Sequence, residues 1–320
     1  IPLLTKALCE SRKLDSPTRQ ELDLTYQMSL IILFRILFVA YGEDKDLLPY
    51  KTNEMYRDRS LKHKALIFAN MDSENMLFDS NAYDHWDDAV RIFNAICDSS
   101  LELGIPAYGG SLFSSDPTIS EIGFELSKIR LTNAQFGPVL RCIVVDVNPE
   151  GVGPVDFRSL GVREFGTIYE GLLESELSTA ETDLSLDKNG SYKPSDETDI
   201  IVSKGEIYIH NQSGARKSSG SYFTKNFAVD HLLDQSLEPA LLDHIKRLDS
   251  MDDTEAGKRF FDISVADISM GSGHFLIAAV DRIERSLQKY LANRIMPGVN
   301  DELARLRSTA LNALGPLAEG

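Results

Sequence analysis

The run Phe260-Phe261-Asp262-Ile263-Ser264-Val265-Ala266-Asp267-Ile268-Ser269-Met270-Gly271-Ser272-Gly273-His274-Phe275-Leu276-Ile277-Ala278-Ala279-Val280 constrains the fold more than any other part of this chain. A short β-rich segment ends in Asp267, a Gly271-Ser272-Gly273 turn follows, and an apolar helix starts at once. Glycines in such a turn let the backbone pass close to a ligand. The opening helix offers N–H groups without intrahelical partners, and the acid at the strand end accepts hydrogen bonds from a polar ligand group. Strand, turn and helix in this order predict an α/β class with the start of a Rossmann-like, doubly wound sheet. The spacing is Asp-x-x-x-Gly-x-Gly, not the Gly-x-Gly-x-x-Gly that cradles a pyrophosphate, so a dinucleotide is the less natural ligand. Taken alone, the turn also fits an ordinary strand-to-helix connection.

With 320 residues, 42% hydrophobic and 26% charged, the chain can bury a sizeable core and is long enough for two domains. Its longest apolar run, Ile31 to Tyr41, is broken by Arg35 and falls short of the ~20 residues of a membrane span, so no membrane partner is expected. Cys9, Cys97 and Cys142 are widely spaced and odd in number, which suits neither a disulfide framework nor a zinc site and points to a reducing cytoplasm. The chain opens at Ile1 without a methionine and reads as an excised piece. A formal charge of −16 argues against the whole being a nucleic-acid clamp. Nine acids against two lysines between Glu170 and Asp199 supply much of that excess.

Helical periodicity runs from Glu21 to Tyr41 through Leu24, Met28, Ile31, Ile32, Phe34, Leu37 and Phe38, and Pro49 closes it off. Glu43 and Lys45 have the spacing of half a metal-dependent nuclease site. No acid precedes them on a strand pair, so a solvated helix end is the better reading and no metal is expected. Helices are also predicted over Leu61–Met71, Asp84–Leu103 and Ile119–Leu131, and within Asp156–Glu174. Gly109-Gly110 reads as a turn, as does Asp146-Val147-Asn148-Pro149, while Val139–Val147 fits more than one form. Ser175 to Thr198 reads as an acidic mobile linker or an extended hairpin, and Ile200–Val202 and Glu206–His210 alternate like strands. A helix from about Asn226 is expected to restart at Pro239, and Asp301–Leu314 is helical.

Before the Asn226 helix lies Gly214-Ala215-Arg216-Lys217-Ser218-Ser219-Gly220-Ser221-Tyr222-Phe223-Thr224-Lys225, a basic loop whose Thr224 is placed to cap. N–H groups at such a helix start suit a carboxylate. S-adenosylmethionine, a zwitterionic amino acid bearing an adenosine, needs a polar cradle for its amino-acid end and a glycine turn beside a strand. The loop and the Asp267–Gly273 turn offer these in order.

Two segments, Gly220-Ser221-Tyr222-Phe223-Thr224-Lys225 and Asp267 to Leu276, resemble the Gly-Ser-Tyr-Tyr-Thr-Pro and Asp-Pro-Ala-Cys-Gly-Ser-Gly-His-Phe-Leu motifs of one family. It comprises the type IIG restriction-modification enzymes and their relatives, the large N6-adenine DNA methyltransferases of phage-exclusion systems. Phe34 to Pro49, Gly109 to Phe113 and Leu160 to Glu174 are similar to parts of its helical domain. Ile268-Ser269-Met270 replaces Pro-Ala-Cys and Lys225 replaces a proline, which bears on cofactor affinity.

The resemblance implies a helical domain over 1–175, an acidic linker over 176–200 and the N-terminal part of a class I methyltransferase domain over 201–320. In the parent protein, methyl would pass from S-adenosylmethionine to a flipped-out adenine in duplex DNA. It also implies that Asp267 binds the ammonium end or a water-linked group, that Gly271 and Gly273 permit close approach, that Phe275 packs on the ligand side, and that Tyr222 and Thr224 close over the methionine part. The family's Asn-Pro-Pro-Tyr catalytic loop has no counterpart here, so no catalytic residue is assigned and a fragment inactive by itself is expected. A non-catalytic scaffold and a different nucleotide-binding α/β enzyme are the competing readings.

Overall fold

The computed structural model describes residues 1–71, 78–148, 151–173, 175–187, 190–195, 199–211, 226–268, 270 and 273–319. The chain forms two compact units: Ile1–Leu160 with Glu170–Ser219 and Glu319–Gly320, and Gly161–Tyr169 with Gly220–Ala318. The class is mixed α/β, mostly helical, and the sheets among the described residues are small two-stranded antiparallel ones.

In chain order the helices are α1 (Pro2–Ser11), α2 (Arg19–Asp44), α3 (Glu54–Arg57), α4 (Leu61–Asn70), α5 (Asp84–Asp98), α6 (Glu121–Ser127), α7 (Asn133–Val144), α8 (Val162–Leu173), α9 (Asn226–Asp249), α10 (Asp253–Arg259), α11 (His274–Leu291) and α12 (Pro297–Leu314). The strands are β1 (Val145–Asn148), β2 (Gly151–Pro154), β3 (Ser175–Thr179), β4 (Leu184–Leu186), β5 (Tyr192–Pro194) and β6 (Ile207–Asn211), paired β1 with β2, β3 with β6 and β4 with β5.

The first unit is built around α2. Thr18 and Glu21 form a capping box that starts it, the Thr18 N–H donating to Glu21 Oε2 at 2.8 Å. By length and composition α2 is apolar enough to cross a membrane, yet 56% of its most apolar window is buried within the protein. Its buried polar residues include Ser29, 3.3 Å from the Thr5 hydroxyl of α1, and Arg35, whose Nε donates to the Leu112 carbonyl at 2.7 Å. Arg35 lies over the rings of Phe93 and Phe113, 5.6 and 5.8 Å from their centroids, and burial pulls its pKa down to about 10. Between α5 and α7, Trp86 stacks edge-on against Phe136 at 5.0 Å, and its indole N–H donates to the Ile129 carbonyl.

Glu43 corrects the expectation of a solvated helix end, because it is 1% exposed. Its Oε1 accepts from the Tyr56 hydroxyl at 2.8 Å and the Leu61 N–H at 3.0 Å, and its Oε2 accepts from the Lys62 N–H at 2.7 Å. The carboxylate therefore sits on the amino end of α4, whose first N–H groups need an acceptor. Lys45 is exposed and rests on the Tyr41 ring.

The acidic stretch contains strands in its described part. β3 pairs with β6, and β4 and β5 form a hairpin, the second of the two forms expected for it. At the junction, Gly205 takes φ +88° in a turn closed by the Glu206 N–H to the Ser203 carbonyl. Gly205 N–H then donates to Ala180 O, and Ala180 N–H to Glu206 O, a glycine bulge that only a residue tolerant of positive φ makes cheaply.

In the second unit α9 packs on α11 through Val229, Leu233, Leu237, Leu241 and Ala279, and α10 packs on α12 through Ala256, Phe260, Met296 and Val299 with Leu248. Pro239 does not restart a helix. α9 runs through it as one 24-residue element, losing one N–H donor while the apolar face on both sides stays buried. The β-rich run before Asp267 is not paired as a strand, and no parallel sheet occurs among the described residues. Strand propensity needs a neighbouring ladder to be realised, and among the described residues none lies beside this segment.

Candidate functional site

The segment leading to Asp267 is held at its start by the core. Phe260 is 2% exposed, and the Nε2–H of buried His244 donates to its carbonyl at 3.1 Å. Ile263 packs against the α9–α11 cluster. From there the chain runs on with Val265 exposed, Asp267 half-buried and Ile268 on the surface.

The turn closes at Gly273. Its N–H donates to the Met270 carbonyl at 2.8 Å, and its carbonyl accepts from Ile277 as the first bond of α11. Gly273 has φ +79° and ψ +13°, the left-handed region, which costs an L-residue roughly 1–2 kcal/mol. Among the described residues, a Cβ built there would meet nothing nearer than Met270 Cγ at 4.0 Å, so the glycine is required by conformation. The N-cap residue of α11 is this glycine, which has no side chain of its own to cap the first turn.

Of the six residues expected at a cofactor site, Asp267, Gly273 and Phe275 are described, while Tyr222, Thr224 and Gly271 lie outside the described residues. Asp267 and Gly273 flank one turn. Phe275 is half-buried and packs against the cluster of Val229, Leu233, Leu237, Leu241 and Ala279, so it anchors α11. The described half of the site places a carboxylate before the turn, a glycine N-cap at the helix start and, among the described residues, no atom close to where a Cβ would stand. No group of His, Cys, Asp or Glu among the described residues is arranged to hold a metal ion.

Two supports went unread in the sequence. His244 falls on the apolar face of α9 between Leu241 and Leu248, spacing that marks it as inward-facing and in need of a partner. Arg282 of α11 is 17% exposed and bridges Asp230, Asp234 and Glu238 of α9, one carboxylate per helical turn. Its hydrogen bond to Asp234, then those to Asp230 and Glu238, raises its pKa above the ordinary guanidinium value against the effect of burial. Arg282 thus ties α9 to α11, the helix whose start follows the turn. Comparison of the chain with models of protein families, with curated proteins and with solved structures gave no match in any of the three.

Proposed function

We infer that this chain is part of a DNA adenine-N6 methyltransferase of a restriction-modification or phage-defence system, and that it contributes the turn that receives S-adenosylmethionine. The observation that carries this reading is Gly273, left-handed at the start of an 18-residue helix, six residues after Asp267. Asp267 would take the cofactor's ammonium end or a water bound to it, and the glycines would let the backbone pass beside the ligand. The chain contains no Asn-Pro-Pro-aromatic tetrapeptide, so methyl transfer to duplex DNA is assigned to the parent protein, in the cytoplasm, and not to this chain alone.

Titration calorimetry of the full chain with S-adenosylmethionine tests the assignment. Binding is expected for the wild type and a loss of about tenfold or more for Asp267→Ala. Unchanged far-ultraviolet dichroism would show that the variant is folded. In a thermal-shift series, stabilisation by NAD or ATP and not by S-adenosylmethionine would replace this reading with a different nucleotide-binding enzyme. The unpaired segment before Asp267 favours a second reading, a non-catalytic scaffold. Folded protein that binds none of the three ligands would support it.

A further inference from the structure

A groove of about 770 Å³ in the first unit runs between α2 and α6. Leu24 and Ile31 of α2 form one wall, and Ile119, just before α6, and Ile122 within it form the other. Leu24, Ile31 and Ile122 are half-buried and Ile119 is 58% exposed, so apolar surface faces the opening. The second wall is firmly seated. Ser120 caps α6 by accepting from the Gly123 N–H at 3.0 Å, and Gly123 lies so close to the Ser114 carbonyl that a Cβ there has no room. Leu24 and Ile31 are separated by roughly 10 Å along α2, which is the length of two turns of a helix laid beside it.

The charges of the lining all have one sign. Among the described residues they are Glu121 and Glu125, with no cation beside them. The two stand one helical turn apart on the same face of α6. Glu121 is exposed and makes no ion pair among the described residues. Glu125 accepts from Lys128 Nζ at 2.6 Å, and that ammonium lies outside the lining, over the Phe124 ring. Arg35, the cation behind Leu112, is buried and directs its guanidinium inward to the Leu112 and Ser114 carbonyls. We propose that this groove docks a cationic amphipathic helix of a partner protein, whose apolar side chains enter between the two walls while two lysines or arginines one turn apart meet Glu121 and Glu125. Apolar burial supplies affinity, and the two acids select charge and register. This site is independent of the cofactor turn and stands or falls separately from it.

The test uses the full chain and a fluorescein-labelled peptide, Leu-Lys-Ala-Ala-Leu-Lys-Ala-Leu-Lys-Ala-Ala-Leu-Lys-Ala, followed by fluorescence polarisation. Because the chain carries a formal charge of −16, any cationic peptide is attracted to it, so the control is a scrambled peptide of the same composition that has no apolar face. The amphipathic peptide is expected to bind about tenfold tighter than the scrambled one. A counterpart with glutamate at each lysine should not bind, and that charge preference should shrink at about 0.5 M salt, where screening is short-ranged. Two variants place the site. Glu121→Lys with Glu125→Lys reverses the charge of the lining, and Gln27→Trp puts bulk into the groove from an exposed position on α2. Each should weaken binding of the amphipathic peptide about tenfold, with far-ultraviolet dichroism confirming the fold. Absence of binding, equal binding of the amphipathic and scrambled peptides, or binding that survives either variant would overturn the proposal. Self-association of the chain in sedimentation that Gln27→Trp abolishes would also overturn it, by assigning the groove to a second copy.

Discussion

Glu43→Ala is expected to destabilise the first unit by about 3 kcal/mol, because it strips the acceptor from the Tyr56 hydroxyl and from two N–H groups at the start of α4, all in the interior. Trp86 is the sole tryptophan of the chain and is buried in this unit, so its fluorescence in urea reports this transition separately from the second unit.

The same residue predicts a pH dependence. Burial pushes the Glu43 carboxyl up from 4.5 to about 7, against the three donors that favour its ionised form. The folded state therefore holds a proton between these values that the unfolded chain has released. The stabilisation is fully present below pH 4.5 and is lost as the pH rises through about 7. A difference of about 2.5 pH units corresponds to about 3 kcal/mol. His85, whose pKa burial lowers, acts in the opposite sense, its contribution being present above 6.5 and lost as the pH falls. Comparing wild type with Glu43→Gln at each pH removes that background. The stability difference should move in favour of the variant by up to about 3 kcal/mol between about pH 5 and about pH 8. A difference that stays constant with pH would show that the buried carboxyl titrates normally.

Gly123→Ala has the second large effect, again about 3 kcal/mol, through overpacking. A Cβ at this position would lie 2.0 Å from the Ser114 carbonyl oxygen and 2.9 Å from Ser120 Oγ, the N-cap that bonds the Gly123 N–H. Backbone cannot step aside as a side-chain tip can. Ser114 O also accepts from Arg35 Nη2 at 3.4 Å, next to the stronger bond from Arg35 Nε to Leu112 O, so the displacement reaches a buried cation on α2. Urea unfolding followed at Trp86 should show a lowered midpoint with unchanged slope. A midpoint within experimental error of wild type would mean that the 112–114 segment gives way freely.

Helices with a strong apolar repeat were readable from local pattern. The span expected over Glu21–Tyr41 is Arg19–Asp44 in the structure, extended at its start by the Thr18–Glu21 box. The predicted Asp84–Leu103 helix stops at Asp98 because Ser99 takes φ +73° and Ser100 bridges to Ile105. Ile119–Leu131 contracts to Glu121–Ser127, set by the Ser120 cap. What escaped local reading depends on distant chain. Glu43 looked solvated because its acceptor role is set by α4, eighteen residues later. The segment before Asp267 has strand composition, and composition cannot supply the neighbour that a ladder requires. At the candidate site, the glycine turn was legible because positive φ leaves a mark on residue choice. The inward turn of Phe275 was not, since an aromatic one residue into a helix serves core and ligand equally.

The placement of α2 in the chain has a consequence for biosynthesis. Its most apolar window is one that a membrane-insertion apparatus would accept by length and composition. Strand β3, which packs on it through Leu177 against Leu22 and Tyr26, follows only after more than a hundred further residues. At roughly 5–20 residues per second, α2 waits on the order of ten seconds for that cover. The interior Arg35 and Glu43 are charges that a bilayer would reject. In the nascent chain these two ionisable groups interrupt the apolar stretch until its own partners arrive.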